Sequence, residues 1–219
     1  IVIDITESPY RVVATFRNNE IPPMVLPNLL DRMGKKYNEA YCLVEINDIG
    51  GQVADIMHSE IEYENMLYTS VRGHRGQELG AGFGVNARLG VKTSATIKRL
   101  GCSTMKAMIE EDKLLIHDYN AIEELSTFVA KRGSYAADSG HHDDMVMALV
   151  LFGWMTSQPH FKEISDMNIR EDLFRDKISE LEDNLTPFGI IDMGIEEETF
   201  EVDSEGDVWF KADEDSYPW

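Results

Sequence analysis

The chain is short of cysteine, of long apolar runs and of N-terminal basic residues, and each shortage removes a class of protein. Two cysteines occur, Cys42 and Cys102. Neither has a cysteine or histidine partner at zinc spacing, so a structural zinc site is not expected. The two thiols are expected to be reduced, as in a cytoplasmic protein. No run of about eighteen apolar residues occurs, which argues against a membrane span. The opening residues IVIDITESPY carry no basic leader and no small-residue cleavage site, and do not read as a signal peptide. Two catalytic signatures are also missing. GVKTS at 90–94 has the flavour of a phosphate-binding loop without the order GxxxxGK[ST], so no ATPase site is expected. No nucleophile elbow accompanies a Ser-His-Asp set.

What is present suits one domain of generous size with an added lobe or tail. The chain has 219 residues, 43% of them hydrophobic, enough for a real core. The formal net charge of −20 looks wrong for a partner of nucleic acid, but it is unevenly spread. Residues 163–219 hold 19 acids and 4 bases, a net −15, which leaves −5 on residues 1–162. Between Arg72 and Lys106 the sign reverses. Arg72, Arg75, Arg88, Lys92, Lys98, Arg99 and Lys106 oppose Glu78 alone. Such a stretch can offer a phosphate-binding surface within an acidic chain. A solvated flexible loop is the plainer reading of it.

Strand and helix patterns alternate along residues 1–162. IVIDI and YRVVATF, separated by Glu7-Ser8-Pro9, predict a two-stranded hairpin. A helix is expected from about Pro27 to Tyr37. AYCLVEI at 40–46 predicts a buried strand ending in a carboxylate. A Gly-rich turn follows, then a helix with Val53, Ile56 and Met57 inward. MLYTSV at 66–71 is another strand, and residues 72–96 read as a long, functional or mobile loop. Ser103 is the expected N-cap of a helix through Glu111, which puts Cys102 at its start. KLLIHD at 113–118 reads as a strand, 121–130 as a helix, and SYAADSGHHDD as a polar turn. Residues 145–155 are almost wholly apolar, which fits a buried helix. A mixed helix is expected at 169–183, with weak strand signals at 200–202 and 208–210. This order makes an α/β domain with an antiparallel hairpin joined to a parallel part. The expected division is a core at 1–162, short of its first strand, and a helix plus acidic C-terminal extension at 163–219.

Three carboxylates stand where chemistry is plausible. Glu45 ends an apolar strand, where open α/β sheets place ligands; a salt bridge or a cap to the Gly-rich turn explains it equally well. Asp143 and Asp144 lie directly before the apolar helix. An N-cap plus an acid at the helix dipole accounts for one of them. Two adjacent acids repel unless a cation neutralises them. Oxygen ligands of this kind suit Mg²⁺ or Mn²⁺. His117 and His142 as zinc ligands are the weaker alternative. Clustered acids suit two-metal phosphodiester hydrolysis, with two cations about 4 Å apart, and nearby basic residues would hold the phosphate backbone.

LVEINDIGG (43–51), RLGCSTMKAMIEEDKLLIHD (99–118) and GHHDDMVMALVLFGWM (140–155) together resemble the C-terminal nuclease domain of the large terminase of contractile-tailed bacteriophages. The likeness extends over roughly residues 1–190. It implies an RNase H-like fold, a mixed sheet flanked by helices, and a magnesium- or manganese-dependent endonuclease with two ions. The family's task is to cut concatemeric viral double-stranded DNA during packaging. The implied partners are DNA, an ATPase domain of the same protein, the small terminase subunit and the portal. The implied location is the cytoplasm of an infected bacterium. The family's strand-end glutamate falls on Glu45 and its late acid on Asp144, with Asp143 as neighbour. IVIDI resembles the family's second strand, which would put the first catalytic Asp on the order of fifteen residues upstream of Ile1, in the preceding hairpin arm. The rival reading makes IVIDI the first strand and Asp4 the first acid. A catalytically incomplete docking module that binds portal or motor partners is the alternative function.

Overall fold

The computed structural model describes residues 1–71, 76–80, 82, 87–131, 134–165, 200–202 and 208–210. The chain divides into two compact units, Ile1–Asp172 and Leu173–Trp219. In the second, β9 (Phe200–Val202) and β10 (Val208–Phe210) form an antiparallel pair, at the two places where the sequence hinted at strands. The helix expected at 169–183 lies outside the described residues.

The first unit opens with the expected hairpin. β1 (Val2–Asp4) pairs antiparallel with β2 (Tyr10–Ala14), with Val2 opposite Ala14 and Asp4 opposite Arg11. β2 also pairs in parallel with β6 (Leu114–Leu115), giving a mixed three-stranded sheet in the order β1-β2-β6. The predicted helix near 27–37 is α1 (Leu26–Lys36), and α2 (Gly50–Ser59) follows the Gly-rich turn. Val53, Ala54 and Met57 are the buried residues of α2; Ile56 is only half-buried.

The segment expected as a buried strand at 40–46 is extended but not a full strand. It makes two isolated parallel bridges, Cys42 with Met66 and Glu45 with Val91. Its backbone hydrogen bonds go to two different segments. Cys42 N–H donates to the Asn65 carbonyl at 2.8 Å, and Ile46 N–H donates to the Val91 carbonyl at 2.8 Å. Changing partner partway along leaves no continuous ladder on either.

Part of the expected loop at 72–96 is ordered. β3 (Tyr68–Val71) is the centre of an antiparallel sheet, flanked by β4 (Gln77–Gly80) and β5 (Ala87–Leu89). The next helix, α3 (Ala95–Glu110), has Ser94 as its N-cap, nine residues before the predicted one. Ser94 Oγ accepts from Ile97 N–H at 3.3 Å. Ser103 is inside α3, and Cys102 is buried in the middle of it. α4 spans Tyr119–Ser126 and stops short of the helix end expected at 130; the rest of that segment is β7 (Phe128–Lys131), which pairs antiparallel with β8 (Ser134–Ala137) at the start of the expected polar turn.

α5 (Asp144–Thr156) is the expected buried helix. Met145, Val146 and every residue from Leu149 to Trp154 are buried. A helix apolar all round must be covered on all sides. α3 covers one side at a glycine contact. A Cβ on Gly101 would lie 2.2 Å from the Val150 carbonyl oxygen, and one on Gly153 would lie 2.6 Å from the Gly101 carbonyl oxygen. The two backbones touch because neither residue has a side chain. Val146, Leu149, Val150 and Phe152 join Met105, Met108 and Leu114 in one core cluster, and Leu151 and Trp154 join Leu67, Val91 and Ile97 in another. α5 thus ties the mixed sheet to the β3 sheet. Both thiols are free, and burial pushes that of Cys42 up to about 11. No described helix is long and apolar enough to cross a membrane.

Candidate metal and nucleic-acid site

The first turn of α5 carries the acid pair, and its sequence explains why an outside group must cap it. Asp143 occupies the N-cap position, but its side chain makes no capping hydrogen bond. Its Oδ2 accepts instead from Ala137 N–H at 3.3 Å and lies 3.7 Å from Lys98 Nζ. Helix N-termini leave backbone donors without partners. Here Glu124 of α4 supplies the acceptor: its Oε2 takes hydrogen bonds from Met145 N–H at 2.7 Å and Val146 N–H at 3.3 Å. Glu124 is 5% exposed. A buried carboxylate at the positive end of a helix is favourably placed. The N-cap role expected of the aspartates therefore belongs to a residue the sequence did not single out.

Arg17 completes this corner. It follows β2 and places Nη1 3.2 Å from Glu124 Oε1 and Nη2 3.8 Å from Asp144 Oδ2. Glu124 Oε1 takes no hydrogen bond among the described residues, so Arg17 meets it as an ion pair. Asp144 is otherwise open, its side chain 71% exposed. Arg17 and Asp144 line a cleft of about 720 Å³ together with Phe16, Asn18, Asn19 and His142.

Glu45 is held by different means. It is half-buried and precedes the turn Asn47-Asp48. Two glycines press on the backbone around it. A Cβ on Gly50 would sit 1.7 Å from the Glu45 carbonyl oxygen, and one on Gly90 would sit 2.2 Å from that of Val44. Gly90 also has φ +70, a conformation that favours glycine. Asn47 fastens the turn to the chain before α3: its Oδ1 accepts from Thr93 N–H at 3.1 Å, and its Nδ2 donates to the Thr93 carbonyl at 3.4 Å. Glu45 thus bridges Val91, shortly before α3, and Asp143 pairs with Lys98, in the first turn of α3.

Asp4 is placed apart from this corner. Val2 is opposite Ala14, near Arg17, whereas Asp4 is opposite Arg11 at the other end of the hairpin. Strands advance about 3.3 Å per residue. The Asp4 Oδ1 accepts from Thr6 Oγ1 at 2.7 Å and Thr6 N–H at 3.0 Å, and these bonds hold its pKa below the usual value. Of the histidines, His117 is exposed beside α4, and His142 is exposed in the cleft.

The basic residues divide. Arg88 on β5, Lys92 and Arg99 are exposed. Lys98 is turned inward, between Asp143 and the Phe128 ring, 5.7 Å from its centroid. Lys106 pairs with Glu110 at 3.5 Å. Arg72 and Arg75 lie outside the described residues.

Glu45, Asp143 and Asp144 offer only carboxylate oxygens, the donor type that hard divalent cations prefer. Asp144 already faces a cation in Arg17. Among the described residues, no three His, Cys, Asp or Glu side chains stand close enough to hold a metal ion. The donors therefore fit Mg²⁺ or Mn²⁺ in kind, but the described residues do not gather three of them into one cluster. Arg17 and Glu124 were missed because nothing local marks them; their partners lie far along the chain.

A family model described as terminase RNaseH-like domain matches residues 1–155. The match spans the mixed sheet, the segment carrying Glu45, and nearly all of α5. The chain belongs to the terminase RNaseH-like domain family, and its fold is RNase H-like.

Proposed function

We propose that this domain is a metal-dependent endonuclease that cuts concatemeric double-stranded DNA during viral genome packaging, as in contractile-tailed bacteriophages. The observation that carries the reading is Asp144, open to the cleft on the first turn of a rigidly buried helix, within a terminase RNaseH-like domain. Glu45 and Asp144 are the proposed catalytic acids, and Asp143 is an accessory metal ligand. Two bound Mg²⁺ or Mn²⁺ ions would activate water and stabilise the leaving oxygen. The chain's own residues fix the acids. Glu124 holds the first turn of α5, Asn47 and the paired glycines hold the backbone at Glu45, and Lys98 offsets the charge of Asp143.

Arg88, Lys92 and Arg99 are proposed to contact the DNA backbone, with Arg72 and Arg75 beside them in sequence. Lys98 belongs in this reading to the acid site rather than to the DNA surface. In this reading Asp4 is not the first acid; its hydrogen bonds from Thr6 and its place opposite Arg11 support leaving it out. The proposed partners are the ATPase domain of the same protein, the small terminase subunit and the portal, in the cytoplasm of an infected bacterium.

Plasmid cleavage with Mg²⁺ or Mn²⁺ tests the reading, using this chain and one extended upstream of Ile1. Glu45→Ala and Asp144→Ala should each abolish cutting, and Asp4→Ala should leave it intact. Undiminished cutting by the first two variants would overturn the assignment. A docking module of the packaging motor would instead show no metal effect on melting temperature and a clear effect of a partner protein.

A further inference from the structure

Arg17 lies outside the basic stretch, yet its guanidinium lines the cleft. Its guanidinium has two partners of unlike character. Glu124, 3.2 Å away, is buried and fixed by two backbone hydrogen bonds. Asp144, 3.8 Å away, is largely exposed and free to change partner. A guanidinium offers five donors in a planar fork and matches phosphate geometry well. One edge held by a buried carboxylate leaves the rest aimed into the cleft.

The flanking residues suit the same ligand. Asn18, Asn19 and His142 line the cleft with Arg17. Amide and imidazole groups hydrogen-bond to phosphate and sugar oxygens without adding negative charge. Phe16, 50% exposed, gives the cleft an apolar face.

We propose that Arg17 contacts a backbone phosphate of the DNA at the acid site, and that Glu124 is the positioning residue that aims it. This rests on the nuclease reading and adds to it a phosphate contact outside the 72–106 stretch. Asp144 would help hold a metal ion, and Arg17, still anchored by Glu124, would then have its remaining donors available for the phosphate. Glu124 therefore has two tasks, capping α5 and anchoring Arg17.

The test is binding of a labelled duplex oligonucleotide to the whole chain. Ca²⁺ replaces Mg²⁺, and affinity is measured across a salt series. Arg17→Gln should weaken binding and lower the slope of log K against log salt by about 0.9, the value for one phosphate contact in B-form DNA. Arg17→Gln strands a buried carboxylate, so Arg17→Gln/Glu124→Gln serves as the folded control and should show the same reduced slope. Arg17→Lys keeps the charge and should keep most of the slope, with intermediate affinity.

Glu124→Gln alone separates positioning from simple charge. Its amide oxygen can still accept from Met145 N–H, and the variant removes a negative charge. Charge alone would strengthen DNA binding; loss of aim weakens it. Weaker binding by this variant is the expected result, and stronger binding would overturn the role of Glu124. A wild-type slope in the double variant would overturn the role of Arg17. If that occurs while Asp144→Ala abolishes cutting, the nuclease reading stands without this contact. If the wild-type chain binds no DNA, both fall.

Discussion

The two acid platforms are built on opposite principles. Asp143 and Asp144 stand on a helix fixed by side chains and charges: Glu124 caps it, Arg17 and Lys98 offset it, and Gly101 lets α3 cover it. Glu45 stands on an extended segment fixed by backbone. Gly50 and Gly90 press against its carbonyls, and Asn47 ties the turn after it to Thr93. No hydrogen bond or ion pair holds the Glu45 carboxylate among the described residues. The helix platform should therefore respond to changes of charge and capping, and the strand platform to changes of volume.

The largest effect is expected where volume is forced onto the strand platform. Gly50→Ala puts a methyl group 1.7 Å from the Glu45 carbonyl oxygen. Overpacking of this kind costs about 1–3 kcal/mol and occasionally more. The urea midpoint should fall, and metal-dependent cutting should fall with it because the same backbone carries Glu45. A wild-type midpoint would remove backbone crowding as the device that holds this acid.

On the helix platform, Glu124→Ala leaves Met145 and Val146 N–H without their acceptor. The expected loss is about 1–3 kcal/mol, visible in the same unfolding experiment. Glu124→Gln should lose less, since an amide oxygen still accepts. If both variants unfold like the wild type, the cap contributes nothing to α5.

A smaller effect is expected one step back, at the cap of the helix that carries Glu124. Asp118 accepts from Ala121 N–H at 2.9 Å and from Thr15 Oγ1 at 2.7 Å. The Ala121 bond first, then the Thr15 bond, holds its pKa below the usual value. Asp118→Ala should cost about 1 kcal/mol. The depressed pKa fixes the sign of the pH dependence. The contribution is fully present above the unfolded value near pH 4, and is lost as pH falls through the lower folded value. The variant should therefore differ from wild type at neutral pH and converge with it in acid.

The smallest stability effect is expected at the acids themselves. Asp144 is exposed, and ion pairs of that kind contribute little. Asp144→Ala and Glu45→Ala should each change stability by about 0.5 kcal/mol or less, while cutting disappears. A large stability change with cutting retained would make the carboxylates structural.

Much of the frame could be read from pattern. The β1–β2 hairpin, α1, α2 and α5 follow from alternation, proline placement and an apolar run. Misreadings arose where local signals compete. Ser103 and Ser94 both precede apolar residues, and only the packing of Gly101 on α5 shows that the helix must already have formed there. The 40–46 segment has strand composition, yet its two partners divide it. The β7 strand was hidden because FVAK continues the apolar spacing of the helix before it. Glu45 and Asp144 were visible because each interrupts or borders an apolar run. Glu124 was not, since it looks like its neighbour Glu123; only burial against the end of α5 separates them. Arg17 was hidden because charge was read in stretches, and its partners are distant in sequence.

The central claim is that Glu45 and Asp144 belong to one metal site despite their unlike supports. A manganese-soaked crystal measured at the manganese absorption edge tests it most directly. An anomalous peak bonded to carboxylate oxygens of both Glu45 and Asp144 is the expected result. Manganese at neither residue, or at Asp4 instead, would contradict it.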